Sequence, residues 1–351
     1  MSSEPRLIIV SNRLPVTLEH TRNRLSVQPS SGGLVSALLP LFKGSGGAWV
    51  GWPGTDYDKQ VELALRTEGA PDYLFEPVFL SAEEKANFYD GCCNEIVWPL
   101  FHDFQARCNF DPAYWNSYYE VNEKFADAVE RVARRGDFIW VHDYHLMMLA
   151  DCLRSRGDRS KLAYFHHIPF PAPDVFEKLP WRVEILRGLM QFNVLGFQTD
   201  RDRKNFMSCV RRFLSDSRLK KIGSRFLVRA EGRHVELGAF PISIDFDSFN
   251  RGAVVPEVVA RSEEIRRNMG DRKIILGIDR LDYTKGIPER LMALRTLLAR
   301  EPSLCGRVSL LQVVVPSREQ VPEYHSCKAK IERLVGEING EYATPGWSPV
   351  T

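Results

Sequence analysis

Residues Ile274-Ile-Leu-Gly-Ile-Asp-Arg-Leu-Asp-Tyr-Thr-Lys-Gly286 decide the fold. An apolar run enters a polar loop that carries Arg280 and Lys285, and Gly286 then opens a helical pattern. That order places two cations at the carboxyl end of a buried strand, beside a helix N-terminus. Open α/β sheets bind anions there, because free N–H groups and aligned peptide dipoles both point at the ligand. A phosphate or diphosphate is the expected guest.

Working outward, short apolar runs alternate with amphipathic helical stretches, as parallel βαβ units do. Strands are expected at Leu7–Val10, Phe138–Val141, Leu162–Phe165, Val194–Phe197, Val235–Phe240, Ile274–Ile278 and Val308–Val315. Helices are expected near 33–43, 113–135, 145–156, 174–191, 201–214, 257–269, 287–300 and 318–339. This predicts an N-terminal doubly wound domain over 1–240, a linker region over 241–272 and a second domain starting at 273. The segment 273–351 holds two strands, too few to cover a strand such as Val308–Val315 that is apolar on both faces. The second domain is therefore expected to be incomplete within this chain.

Composition excludes several classes. The 351 residues are 44% hydrophobic and 26% charged, as in ordinary globular proteins. A formal net charge of +2 supplies no global field for nucleic acid. Seven cysteines without CxxC spacing read as reduced thiols of a cytoplasmic protein. No apolar run approaches the ~18–20 residues of a membrane span, and the N-terminus lacks a signal-peptide core. No membrane or nucleic-acid partner is expected, and no cofactor or metal. Oligomeric state is left open, a homo-oligomer included.

Chemistry-bearing residues gather at strand ends. Arg13 leaves the first strand, where a guanidinium can fork onto a phosphate. Gly32 and Gly33 precede a helix and would let the backbone approach a diphosphate; a turn glycine pair with a surface arginine is the alternative. Asp143, in Trp140-Val-His-Asp-Tyr-His145, stands where strand gives way to helix, an active-site position and equally an N-cap position. His142 and His145 flank it without the i, i+4 spacing of a metal pair. His166 and His167 end the next strand, and one of them is expected to face a ligand. Aromatic residues crowd 49–52 and 88–102, Tyr89 and Trp98 among them; most such rings are core, but a subset can stack on a sugar face. Val315-Pro-Ser-Arg318 again leads a strand to an arginine. Arg13, Arg280, Lys285 and Arg318 together suit a cleft between two domains that holds two phosphorylated ligands.

With these residues in view, the sequence resembles the trehalose-6-phosphate synthases, retaining glycosyltransferases of the two-Rossmann-domain GT-B type. The matching blocks are SNRLPV, SSGGLVSAL, WVGWPG, the Tyr89–His102 segment, WVHDYHLMMLA, HHIPFP, LGFQTDRDRKNF, PISID, DRLDYTKGIPERL, VPSRE and EINGEYATPGWSPV. They run in family order over nearly the whole chain. The resemblance implies transfer of glucose from a nucleotide-glucose, expected to be UDP-glucose, to glucose 6-phosphate. On this resemblance Arg280 and Lys285 grip the donor diphosphate, with Gly32 and Gly33 adding backbone contacts. Arg13 and Arg318 clamp the acceptor phosphate, Tyr89, Trp98 and Asp143 position the acceptor sugar, and His167 meets a donor sugar hydroxyl. The catalytic set is then Arg280, Lys285, Asp143 and His167.

Members of that family continue past the position of Thr351 into a segment that supplies further donor contacts. The expectation is that residues 1–351 alone bind acceptor weakly and turn over little. A glucosylglycerol-phosphate synthase and a non-catalytic sugar-phosphate-binding subunit are the competing readings.

Overall fold

A computed structural model of the chain describes residues 5–21, 24–30, 32–42, 44–67, 73–316 and 322–351. The chain divides into two compact units, Met1–Ile244 and Asp245–Thr351. The first is built on a nine-stranded sheet. Its strands are β1 (Leu7–Arg13), β4 (Ala48–Trp52), β5 (Leu74–Pro77), β6 (Phe138–His142), β7 (Lys161–His166), β8 (Val194–Phe197), β9 (Arg218–Ile222), β10 (Arg225–Ala230) and β11 (Arg233–Ala239). A hairpin of β2 (Val16–Thr21) and β3 (Arg24–Pro29) leaves the sheet after β1.

The strand order is β5-β4-β1-β6-β7-β8-β11-β10-β9. The pairings from β5 to β11 are parallel, and β10 and β9 extend the far edge antiparallel. The chain thus runs outward from β1 through β4 to β5, then returns to pair β6 against the other side of β1. That reversal is a topological switch point, and open α/β sheets bind ligands at the carboxyl ends of the strands beside it. Arg13 ends β1 there and His142 ends β6.

Ile8, Ile9 and Val10 are fully buried, as a parallel strand covered on both faces requires. The helix Pro112–Val132 starts where sequence rules place it, with Asp111 accepting from Ala113 N and Pro112 in the first turn. One expected helix is two: the span 174–191 breaks into Pro173–Phe176 and Arg182–Leu189, with Pro180 between. Proline cannot donate the backbone bond a continuous helix needs there. The helix expected at 145–156 is a 3₁₀ turn, Tyr144–Leu146, followed by Leu149–Ser155. Lys85–Val97 forms a π-helix that no periodicity announced.

In the second unit β12 (Lys273–Arg280) pairs in parallel with β13 (Val308–Val315). Residues 245–272, within the expected linker region, carry the helix expected over 257–269, Pro256–Met269, and before it Phe246–Gly252, both in this unit. On β12, Leu276 is 60% and Ile278 63% exposed. Among the described residues no helix is long and apolar enough to cross a membrane.

The π-helix fits against Pro112–Val132 only because residue 91 is glycine: a Cβ there would lie 2.7 Å from the Tyr114 ring. Gly91→Ala is expected to destabilise the first unit by about 1–3 kcal/mol through overpacking, read as a lower urea midpoint.

Candidate active site

The switch point in the first unit gathers five of the residues singled out in the sequence. Arg13 lies across Trp52, its Cζ 4.7 Å from the ring centroid. On the other side is Gly54, at φ +94°, where a Cβ would come within 2.1 Å of a guanidinium nitrogen. Gly54 is therefore needed both for its backbone angle and for the space Arg13 fills. Trp52 in turn stands 6.0 Å from the Tyr89 ring, and Tyr89 stacks on His145 at 5.9 Å and 12°. Arg13 keeps an exposed face, yet the atoms crowded around its guanidinium desolvate it and pull its pKa down, with Tyr89 acting in the opposite sense. Arg13 forms no ion pair with any described residue. A fixed cation without a carboxylate is an anion site in waiting.

Asp143 holds the loop after β6. Its backbone sits at φ 73°, ψ 166°, a region that costs a non-glycine residue about 1–3 kcal/mol. Asp143 N donates to Phe165 O at 2.8 Å, and Oδ1 accepts from Tyr144 N at 3.0 Å and from His167 N at 3.3 Å. The capping reading and the active-site reading of this residue are compatible: Oδ1 serves the backbone while the side chain stays partly exposed.

The two histidines at the end of β7 part company. His166 is fully buried, with Nδ1 2.9 Å from Tyr164 OH and Nε2 3.4 Å from Pro169 O. His167 lines a groove of about 450 Å³ with His142, Trp140, Phe165 and Leu41, and its Nε2 is 3.0 Å from His142 Nδ1. Burial depresses all three pKa values, that of His166 to about 3, and for His167 the Asp143 carboxylate partly offsets the effect.

Trp98 is buried, 5% exposed, with the rings of His102 4.2 Å and Tyr144 5.8 Å away. Gly33 opens the helix Gly33–Phe42, and a Cβ on it would meet nothing within 4 Å. Gly32 O accepts from Ser36 N, and a Cβ on Gly32 would make only ordinary contact with Val35.

In the second unit, Arg280 ends β12 and Lys285 ends the 3₁₀ turn Tyr283–Lys285, directly before the helix Ile287–Arg300. Gly286 joins turn to helix at φ 63°. Both side chains are exposed, and neither makes a hydrogen bond or ion pair with a described residue, although Lys285 adds to the field that favours the Asp279 carboxylate. The neighbouring acid is already engaged: Asp279 takes Arg290 at 2.6 Å and Gln312 at 3.3 Å. Burial opposes ionisation of Asp279, yet those hydrogen bonds hold its carboxylate below the usual range. Arg318 lies outside the described residues. Sequence reasoning missed Trp52 and Gly54 as the seat of Arg13, although WVGWPG stood out for its aromatics.

The doubly wound sheet and second α/β unit are an architecture that many enzymes share, and comparison with known proteins gives the class, the GT-B glycosyltransferases. Residues 5–351 match glycosyltransferase family 20, and the chain belongs to that family. It is 39% identical over 351 residues to the 56 kDa subunit of the UDP-forming alpha,alpha-trehalose-phosphate synthase of Kluyveromyces lactis, covering 98% of this chain and 71% of that one. It is 39% identical over 347 residues to trehalose-phosphate synthase A of Dictyostelium discoideum, where the shares are 98% and 46%, so the chain spans under half of that relative. Two solved structures are similar throughout. The Escherichia coli enzyme bound with UDP-2-fluoro glucose has a TM-score of 0.86 at 30% identity, over 98% of this chain and 72% of that one. The Burkholderia xenovorans synthase in complex with glucose 6-phosphate has a TM-score of 0.85 at 30% identity, over 98% and 73%. These relatives are trehalose-phosphate synthases, and the glucosylglycerol-phosphate reading gains no support from them.

Two outcomes are expected. Folded pKa values of His142, His166 and His167 lie below the ~6.5 of a free imidazole, so as pH falls through 6.5 the unfolded chain gains protons that the folded chain refuses. Stability should therefore be level above pH 7 and fall toward pH 5, by up to about 1.4 kcal/mol per pH unit for each histidine while its folded ring stays neutral; urea midpoints across that range test this. Asp143→Gly should unfold at higher denaturant than Asp143→Ala, by about 1–2 kcal/mol once the chain entropy of glycine is counted. Equal midpoints would mean that the backbone is not strained there.

Proposed function

We propose that the chain provides the acceptor side and part of the donor side of a retaining glucosyltransferase. In this reading glucose moves from UDP-glucose to glucose 6-phosphate, giving α,α-trehalose 6-phosphate and UDP. The observation that carries it is the set of cations left without carboxylates, Arg13 at the end of β1 and Arg280 with Lys285 at the end of β12. The first suits a sugar phosphate and the other two a diphosphate. The two related structures hold ligands of those two kinds, UDP-2-fluoro glucose and glucose 6-phosphate.

Arg13, and Arg318 by family resemblance, hold the acceptor phosphate. Tyr89, Trp98 and Asp143 position the acceptor sugar; His167 meets a hydroxyl of the transferred glucose, and Gly32 and Gly33 let the diphosphate approach the backbone. Arg280 and Lys285 neutralise charge as the anomeric C–O bond to the diphosphate breaks, a type of stabilisation whose loss costs about 3 kcal/mol of barrier per contact. The acceptor hydroxyl attacks from the face the diphosphate leaves and passes its proton to the departing phosphate oxygen. No enzymic nucleophile takes part, which agrees with an Asp143 carboxylate committed to backbone N–H groups.

Titration calorimetry of residues 1–351 tests the reading without requiring turnover. Arg13→Ala should weaken glucose 6-phosphate at least ~10-fold, since a hydrogen bond to a charged group contributes about 1.5–3 kcal/mol. UDP binding should be unaffected by that change and weakened similarly by Lys285→Ala. Unchanged sugar-phosphate affinity in Arg13→Ala would overturn the acceptor assignment, and glycerol 3-phosphate competing equally with glucose 6-phosphate would overturn the hexose assignment.

A further inference from the structure

His142 has no part in the ligand set above, yet its ring is the nearest polar partner of His167. The two nitrogens stand 3.0 Å apart, and a neutral imidazole carries its proton on one nitrogen only. One N–H therefore lies between the rings. Were His167 the donor, the proton of His142 would sit on Nε2, which is buried and has no partner among the described residues. Orphaned buried N–H groups are rare because each forfeits its hydration.

We propose that His142 is a positioning residue: its Nδ1–H donates to His167 Nε2, which fixes the ring of His167 and confines its proton to Nδ1. His167 then offers a ligand one nitrogen only, and that nitrogen is a hydrogen-bond donor. A sugar hydroxyl meeting it accepts through oxygen, so the hydroxyl proton must find another partner. The inference deepens the role given to His167 above and rests on that reading for the ligand alone. His166 supplies an internal contrast, since Nε2 facing the Pro169 carbonyl must carry its proton while Nδ1 accepts from Tyr164 OH.

Long-range ¹H–¹⁵N correlation spectra of histidine-labelled 1–351 at pH 8, where the rings are neutral, separate the two tautomers. His142 and His167 are expected with protonated Nδ1, and His166 with protonated Nε2. His142→Asn, whose side-chain amide places an N–H where Nδ1–H was, should leave His167 locked. His142→Phe should release it to the averaged shifts of free imidazole, with the His166 pattern showing that the fold persists. A wild-type His167 protonated on Nε2 or already averaged overturns the proposal without recourse to any variant; so does a His167 pattern that ignores His142→Phe. Adding UDP-glucose should shift the His167 Nδ1–H resonance and spare His166. The expected tautomers without that shift would uphold the pairing and overturn the donor role of His167 instead.

Discussion

The hydrogen bond from Asp143 N to Phe165 O, 2.8 Å long, sets the site. It follows directly on the β6–β7 ladder, where His142 pairs with Phe165. A strand that simply continued would carry residue 143 on in extended geometry. Here φ turns positive, the chain folds into a 3₁₀ turn, and the carboxylate swings back to collect two backbone N–H groups. One residue thus ends β6, caps the next turn and anchors the loop after β7. The strain of about 1–3 kcal/mol is offset by three hydrogen bonds of roughly 1 kcal/mol each, so a left-handed aspartate can persist there.

Charge is arranged by the same economy of partners. Several cations beside the sheets are neutralised: Arg6 by Asp137 at 2.6 Å, Arg131 by Glu76 at 2.7 Å, Arg290 by Asp279 at 2.6 Å. Arg13 and Arg280, each at a strand end, and Lys285, in the turn after β12, form no such pair with a described residue. Arg13 is held by an indole face and a glycine, contacts that fix position without cancelling charge. An Arg–carboxylate pair in place of that seat would satisfy the guanidinium and close the site to phosphate.

Sequence revealed the features that repeat with a period. Buried parallel strands such as β1 and β6 are runs too apolar to be anything else, and Asp111-Pro112 announces its helix. The strand-end cations were equally plain, since apolar run, polar loop and glycine follow in order from Ile274 to Gly286. What stayed hidden has no periodic signature. β4 and β5 are five and four residues long, and the aromatics of β4 read as core or sugar platform. The π-helix depends on Gly91 meeting Tyr114, a contact between residues 23 positions apart that no local pattern encodes. Which histidine at the end of β7 faces the groove was also open, since both are adjacent and chemically alike.

Strand alternation settles that last choice. Side chains along a strand point to opposite faces in turn, so Phe138, Trp140 and His142 of β6 share a face with Ala163, Phe165 and His167, and all six line the groove. Tyr164 and His166 fall between them, which is why the tyrosine hydroxyl caps His166 and not His167. With His142 in register with Phe165, His167 becomes the diagonal neighbour one step beyond on the same face, within reach of a ring-to-ring hydrogen bond. A slip of one residue between β6 and β7 would exchange the two histidines, burying the ligand-facing ring and setting His166 against His142. Register is therefore specified twice, by the apolar face and by which imidazole finds its partner, and one lattice of backbone bonds determines both the fold and the chemistry at its edge.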